Sequence, residues 1–547
     1  MRFRFTTIAA ASATMLVGCS HIAQVGEVRP RFRPLHTAVG ALVAVEKGIS
    51  QALQLEKRDP MDALGGFLTA AEEAAKQLER KPSDIDARNA YNFAVARVFT
   101  TIHDAKLDPW KQPLRVPASG GDFTFTHKPD PLPNRNPELY EFMPADQLRL
   151  KGTYVSKRIT KQGLGAPLVA AGKELRKDAK EEFATRRTYR DTTAVVRFDK
   201  GRRAAVEFMD PLQTETVRLN GRTFPLAADY TASTAVMLVR EKPQKLGLAR
   251  LLRPAKYDDT ARIARLQAYD PDKTVVLVVH GLMSSPDTWT PMINELRGDP
   301  EIRKRYQFWF FSYPSGYPYP YSAAILRREL DAVQKKFPMR KPMVVIGHSM
   351  GGCISRLLIT DTGDRIWMDM FNKPPDQVPL PPATKKLFTE ALIFKHRPEV
   401  GRVIFISAPL RGADLAKGWL GRMGARLVRL PGNLITMSTD AVRLVTFQPG
   451  APNIKHAPTS VDTLSPDNRF VKAINNVPIT PGIPYHTIAG DRGKCDAPNC
   501  NDGLVPYWSS HMAGAKSEVI VPSGHGAHQN EKAIQEVGRI LHLHRPL

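Results

Sequence analysis

The spacing of apolar positions changes period twice along the chain. Residues 36–106 carry Ala-rich runs with apolar side chains three and four positions apart, as in Leu64, Phe67, Leu68 and Ala71. That spacing places them on one face of a helix, and Pro60 and the Lys81-Pro82-Ser83 step break the run into a helical hairpin arrangement. No repeat within it is strong enough to name. From Asp108 to about Pro137 the composition turns to Pro, Gly, Asn and Asp, which predicts a linker or an irregular surface segment. Short β-branched and aromatic runs follow at 192–198, 204–208, 214–219 and 234–239. Turn signals such as Asn220-Gly221 separate them, so a small antiparallel β module is predicted.

From Pro271 onward, short and strongly apolar runs alternate with helix-like stretches, the pattern of a mostly parallel sheet covered on both faces. Candidate strands are residues 275–279, 307–311, 343–346, 403–406, 486–489 and 518–521. The 547 residues are enough for two or three cores. The expected division is a helical N-terminal region at 19–120, a β-rich module at 121–255 and an α/β domain at 256–547.

Composition adds a charge and a destination. Lys and Arg total 78 against 54 Asp and Glu, a formal charge of +24. The basic residues are spread along the chain with no basic-aromatic motif, so the expected surface is generally basic and no nucleic-acid partner is implied. Anionic lipid or envelope polysaccharide is compatible with it. At the head of the chain, Arg2 and Arg4 precede apolar or small residues 5–18 and then Leu16-Val17-Gly18-Cys19. Residues 1–18 read as a signal peptide, too short to span a bilayer. The ending resembles the lipobox of bacterial lipoproteins. That resemblance implies lipidation of Cys19 and, with Ser20 next, an outer-membrane lipoprotein facing the periplasm.

In such an oxidising compartment, Cys495 and Cys500 of Cys-Asp-Ala-Pro-Asn-Cys read as a local disulfide. Cys353 reads as a small buried apolar residue.

The chemistry concentrates in the C-terminal half. Gly347-His348-Ser349-Met350-Gly351 follows the apolar run 343–346 and precedes a helical stretch, the context in which a G-x-S-x-G turn presents its serine. Small flanking residues let the backbone turn sharply and expose the hydroxyl, and the Met350 amide is a donor for a developing oxyanion.

With His280-Gly281-Leu282, Ile406-Ser407-Ala408-Pro409, Arg411-Gly412 and Asp502-Gly503-Leu504-Val505-Pro506, this motif gives residues 271–547 a resemblance to α/β hydrolases of the lipase and esterase branch. Within that branch the pattern is similar to triacylglycerol lipases and GPI inositol-deacylase-like groups. It covers about half of the chain, and residues 20–255 resemble nothing we can name. The resemblance implies the α/β-hydrolase fold, Ser349 as nucleophile, the Leu282 amide as a second oxyanion donor, and the chain order serine, acid, histidine.

For the acid, Asp502 in its tight turn is favoured over Asp491, which sits at a strand end beside Arg492. For the base, His525 between two glycines is favoured, with His528 the alternative. His280 reads as structural. Insertions at 373–382 and 413–465 are candidates for a cap above the site or for ordinary peripheral packing. The aromatic run Tyr313–Tyr321 is a candidate pocket wall or a packed loop.

The expected activity is cleavage of a carboxylic ester, with an ester or lipid as substrate and no metal or organic cofactor. Acyl transfer by the same serine, and a non-catalytic envelope scaffold, are the other functions these residues allow. No partner of the N-terminal region is indicated.

Overall fold

The computed structural model describes residues 22–33, 41–129, 136–173, 187–243, 247–413, 459–493 and 497–544. Cys19 and Cys495 lie outside them, as does most of the expected insertion at 413–465. Among the described residues no helix is long and apolar enough to cross a membrane.

Three helices open the described chain, α1 (Ala41–Leu55), α2 (Pro60–Arg80) and α3 (Ile85–Asp104). Asp59 and Asp84 cap the N-termini of α2 and α3 through their side chains, and Pro60 occupies the first turn of α2. The helices cover a six-stranded sheet made of β1 (Leu114–Val116), β2 (Phe123–His127), β3 (Tyr140–Pro144), β4 (Ala166–Gly172), β5 (Tyr189–Asp199) and β6 (Arg203–Met209), in the order β1-β2-β6-β5-β4-β3.

This arrangement differs from the expected boundary at residue 120. β1 and β2 pair antiparallel across that position, and helices and sheet share a single apolar core running from Leu42 to Leu226. Neither layer can bury its apolar face without the other. Tyr91 of α3 joins the layers, its hydroxyl donating to the Val196 carbonyl at 2.7 Å and accepting from the Val196 amide at 2.9 Å.

Two local expectations fail for the same kind of reason. The stretch read as a linker carries β1 and β2, because Phe123 and Phe125 alternate inward and are fully buried. The run 234–239, read as a strand, belongs to helix α4 (Ala232–Glu241). Its buried residues Ala232, Ala235 and Val236 fall at helical spacing, and the Asp229 carboxylate accepts from the Thr231 and Ala232 amides at its start. Tertiary burial and a cap outweigh the β propensity of Thr and Val.

The second sheet has seven strands: β7 (Arg262–Arg265), β8 (Thr274–Val279), β9 (Tyr306–Ser312), β10 (Met343–His348), β11 (Val400–Ile406), β12 (Tyr485–Asp491) and β13 (Glu518–Pro522). Their order is β7-β9-β8-β10-β11-β12-β13, and all pairs are parallel except β7 with β9. All six expected strands are present. The edge strand β7 was not foreseen, since Arg262-Ile263-Ala264-Arg265 is too short and charged to read as one.

One face of this sheet packs on α5 (Thr290–Gly298) and the C-terminal α8 (Glu531–Leu543). The other packs on α6 (Tyr319–Lys336) and α7 (Met350–Arg356). Burial on both faces explains why β8 reads Thr-Val-Val-Leu-Val-Val without alternation. The insertion at 373–382 contributes Val378 and Leu380 to the main core, and Tyr313, Tyr317 and Tyr319 are buried there too, so both are packing elements.

Candidate active site

Register brings the pieces of the site to one level. Val279 of β8 lies opposite Phe311 of β9 and Gly347 of β10, and His348 lies opposite Ile406 of β11. The loops that leave the C-terminal ends of β8, β10, β12 and β13 therefore emerge side by side.

Ser349 forms the turn between β10 and α7 with φ 54° and ψ −128°. An L-residue held there costs about 1–3 kcal/mol, and the surroundings enforce it. A Cβ on Gly351 would stand 2.2 Å from the Val279 carbonyl oxygen, so only glycine lets α7 pack directly behind β8. A Cβ on Gly281 would stand 2.8 Å from the Ser349 Cβ, which shows how closely the loop after β8 approaches the serine.

The structure brings Ser349, His525 and Asp502 together in one hydrogen-bonded line. The Ser349 hydroxyl lies 2.8 Å from His525 Nε2, and His525 Nδ1 lies 2.8 Å from Asp502 Oδ2. Asp502 is buried and its second oxygen accepts from the Leu504 and Val505 amides at 2.8 and 2.7 Å. Burial alone would raise its pKa, but the bonds from His525 and these two amides hold the carboxyl below its usual value. It is a carboxylate at neutral pH. The imidazole is thereby fixed with its proton on Nδ1 and its Nε2 lone pair toward the serine.

The alternatives fall elsewhere. Asp491 accepts from the Asn501 amide at 3.0 Å and so holds the turn that carries Asp502. His528 is buried behind the site, 5.0 Å from the Trp289 ring and 3.9 Å from the His348 ring, and burial pushes its pKa down to about 3. His280 is buried and stacked on Tyr313 at 4.3 Å, with burial taking its pKa to about 3. Its Nδ1 donates to the Gly281 carbonyl at 2.9 Å, a structural bond within the loop. Cys353 is buried, its thiol donating to the Pro409 carbonyl at 3.3 Å and pushed up by burial to about 12.

Met350 directly follows the serine at the start of α7, and Leu282 follows Gly281, the glycine that approaches the Ser349 Cβ. The loop bearing Leu282 is held at Met283, whose amide donates to the Ser315 hydroxyl at 3.1 Å.

His348 has a place in the site that its position in the motif did not reveal. Its Nε2 donates to the His525 carbonyl at 2.7 Å, so it ties the loop carrying His525 to the turn carrying Ser349. Burial, with His528 and His525 beside it, holds its pKa well below the usual value, which keeps the ring neutral. Arg492 is a second such residue. A Cβ on Gly503 or on Gly524 would run into its guanidinium, which sits between the Asp502 turn and the His525 loop.

Residues 275–539 match the family model described as the alpha/beta hydrolase family. Residues 275–539 are an alpha/beta hydrolase domain. The hydrolase domain takes up about half of the chain, and no curated protein matches the chain significantly. Among solved structures, a Bacillus licheniformis lipase in its mature form is 17% identical, covering 50% of this chain and 94% of that one with a TM-score of 0.30. A metagenomic carboxyl esterase is 15% identical over 51% of this chain and 78% of its own, with a TM-score of 0.27. The thioesterase domain from the curacin biosynthetic pathway is 13% identical over 50% and 92%, with a TM-score of 0.26.

Proposed function

We propose that the hydrolase domain cleaves carboxylic esters through an acyl-Ser349 intermediate. The observation that carries this reading is the line of hydrogen bonds from Ser349 through His525 to Asp502, each 2.8 Å long. His525 Nε2 takes the hydroxyl proton as Ser349 Oγ bonds to the substrate carbonyl carbon. The negative charge that moves to the carbonyl oxygen is met by the Leu282 and Met350 amides. His525 then gives its proton to the departing alkoxide, and the alcohol leaves. Water repeats the sequence on the acyl-enzyme, releasing the acid and restoring Ser349. Asp502 stays ionised throughout and stabilises the imidazolium.

The substrate belongs, on this reading, to the esters and lipids of the cell envelope. The Arg2-to-Cys19 leader supports that location, with Cys19 as the lipid-bearing residue.

Covalent labelling by a fluorophosphonate followed by peptide mapping tests the reading. Label on Ser349, lost in Ser349→Ala, is expected, together with turnover of p-nitrophenyl esters. Folded protein that neither labels nor turns over any ester in a chain-length series would refute it.

A further inference from the structure

A cavity of about 620 Å³ lies where the N-terminal region meets the hydrolase domain, and neither Ser349 nor His525 lines it. Its volume is that of a small-molecule site. Met237 of α4, Ile293 of α5, Phe310 of β9 and Leu266 beyond β7 give it apolar walls from both parts of the chain.

The charges in the wall are unequally served. Glu241 accepts from the Tyr189 hydroxyl at 2.5 Å and lies 3.4 Å from Arg187. Arg250 has one hydrogen bond, from Nη1 to the Ser312 hydroxyl at 3.2 Å, and no ion-pair partner among the described residues. Its Nε is buried without an acceptor. Arg262 and Lys256 share the wall, and Arg262 repels Arg250 through space. Asp287 and Asp259 attract Arg250 only at a distance. Burial also raises the Asp287 carboxyl, and the Ser285 hydroxyl occupies one of its oxygens.

A guanidinium in an apolar cavity without a directly bound anion is costly, and its planar fork fits a carboxylate in two parallel hydrogen bonds. The two aspartates, which line the same cavity, set a limit of the opposite kind, since they repel a doubly charged phosphate more than a singly charged head group. One negative charge on a long apolar body satisfies both conditions. We propose that this cavity binds an aliphatic carboxylate, with the head group on Arg250 and the chain along Met237, Leu266, Ile293 and Phe310. The site is separate from the ester-cleaving site and does not depend on its activity.

Titration calorimetry of the full chain carrying Ser349→Ala, with laurate below its micelle concentration, tests the proposal. One saturable site is expected. Arg250→Met should weaken it about tenfold or more, Arg250→Lys, which keeps the charge and loses the fork, should weaken it by a smaller factor, and Ile293→Trp should abolish binding by filling the cavity. Dodecyltrimethylammonium, with the same chain and the opposite charge, should not bind there. Met237→Trp fills the cavity from the opposite wall and replaces Ile293→Trp if that variant does not fold. Wild-type protein blocked at Ser349 by a fluorophosphonate should bind laurate as well as before. Absence of saturable binding, equal affinity for the cationic chain, unchanged binding in Arg250→Met and in the filled cavity, or loss of binding on blocking Ser349 would each overturn the proposal.

Discussion

Three buried histidines close to Ser349 make the hydrolase domain sensitive to acid in a defined pH window. His280, His348 and His528 are 1%, 6% and 3% exposed, and burial takes His280 and His528 to a pKa of about 3. A histidine whose pKa is lowered by folding binds fewer protons in the native state than in the unfolded chain. Its contribution to stability is therefore complete above the unfolded value near 6.5 and is lost as pH falls from there toward the folded value. At pH 5 the unfolded chain gains about 1.5 units of protonation advantage at each site, worth about 2 kcal/mol per histidine. His280 and His528 together remove about 4 kcal/mol, a large share of a typical domain's stability, and His348 acts in the same direction. Asp502 is held below 3.8 and titrates beneath this window. Urea unfolding at pH 7.5 and pH 5, followed by tryptophan fluorescence, measures the effect, and Trp289 lies within the cluster. His528→Asn costs some stability at both pH values, but it should shrink the difference between them by about 2 kcal/mol. A pH difference unchanged in both His528→Asn and His280→Asn would show that these rings are not held neutral by burial.

The remaining predictions concern the site and its support. Asp502→Asn leaves the packing intact but loses the charge that orients His525, so kcat should fall about 10³–10⁴-fold with KM little changed in steady-state ester hydrolysis. His348→Ala removes the bond to the His525 carbonyl, about 1–2 kcal/mol, and should lower kcat about 5- to 30-fold while His348→Gln recovers part of it. Equal kcat in all three proteins would deny His348 a positioning role. Gly281→Ala forces the loop off the Ser349 Cβ, and a shift of about 1 Å there should reduce kcat by about 10²-fold with thermal stability nearly retained. Arg297→Met leaves the buried Asp191 carboxylate without its cation and should cost about 3–5 kcal/mol in chemical unfolding, part of which Asp191→Asn in the same chain restores.

The α/β half was legible because each signal there is local. β8, β10 and β11 each contain an uninterrupted apolar run, at 275–279, 343–346 and 403–406, and Gly347 to Gly351 fit a turn that admits few other residues. Choosing Asp502 over Asp491 and His525 over His528 also followed from local setting, a turn beyond a strand end and a histidine between glycines. What escaped depends on contacts across long stretches of sequence. His348 reaches a carbonyl 177 residues away, and Arg492 touches two loops whose closeness is a property of strand order. In the N-terminal half, Phe123 and Phe125 sit among turn-forming residues, so their burial under the helices could not be seen from composition. The strand read at 234–239 shows the converse, a β-branched run recruited into a helix because Asp229 caps it and the surroundings bury one face.

The interface between the two halves bears on the site itself. Asp191 of β5 accepts from Ser233 of α4 and from Arg297 of α5, all of them buried. Arg303 donates to both Glu215 oxygens at 2.7 and 3.0 Å, and Lys273 Nζ reaches the Leu212 carbonyl at 2.7 Å. Such ionic contacts add little net stability because desolvation offsets them, but they reject misaligned docking, where a buried charge would be left alone. From α4 the chain continues to the short helix Gly247–Leu252, which lies on the loops above the second sheet. A Cβ on Gly247 would stand 2.4 Å from the Met283 carbonyl oxygen, and one on Gly316 would stand 2.2 Å from the Leu251 carbonyl oxygen. Met283 has φ 56° and directly follows Leu282. The backbone that carries Leu282 and Met283 is therefore clamped between Ser315 on the hydrolase side and Gly247 on the chain arriving from the N-terminal region. A boundary drawn at residue 255 cuts through this clamp, because the segment just before it already packs on the loop that follows β8.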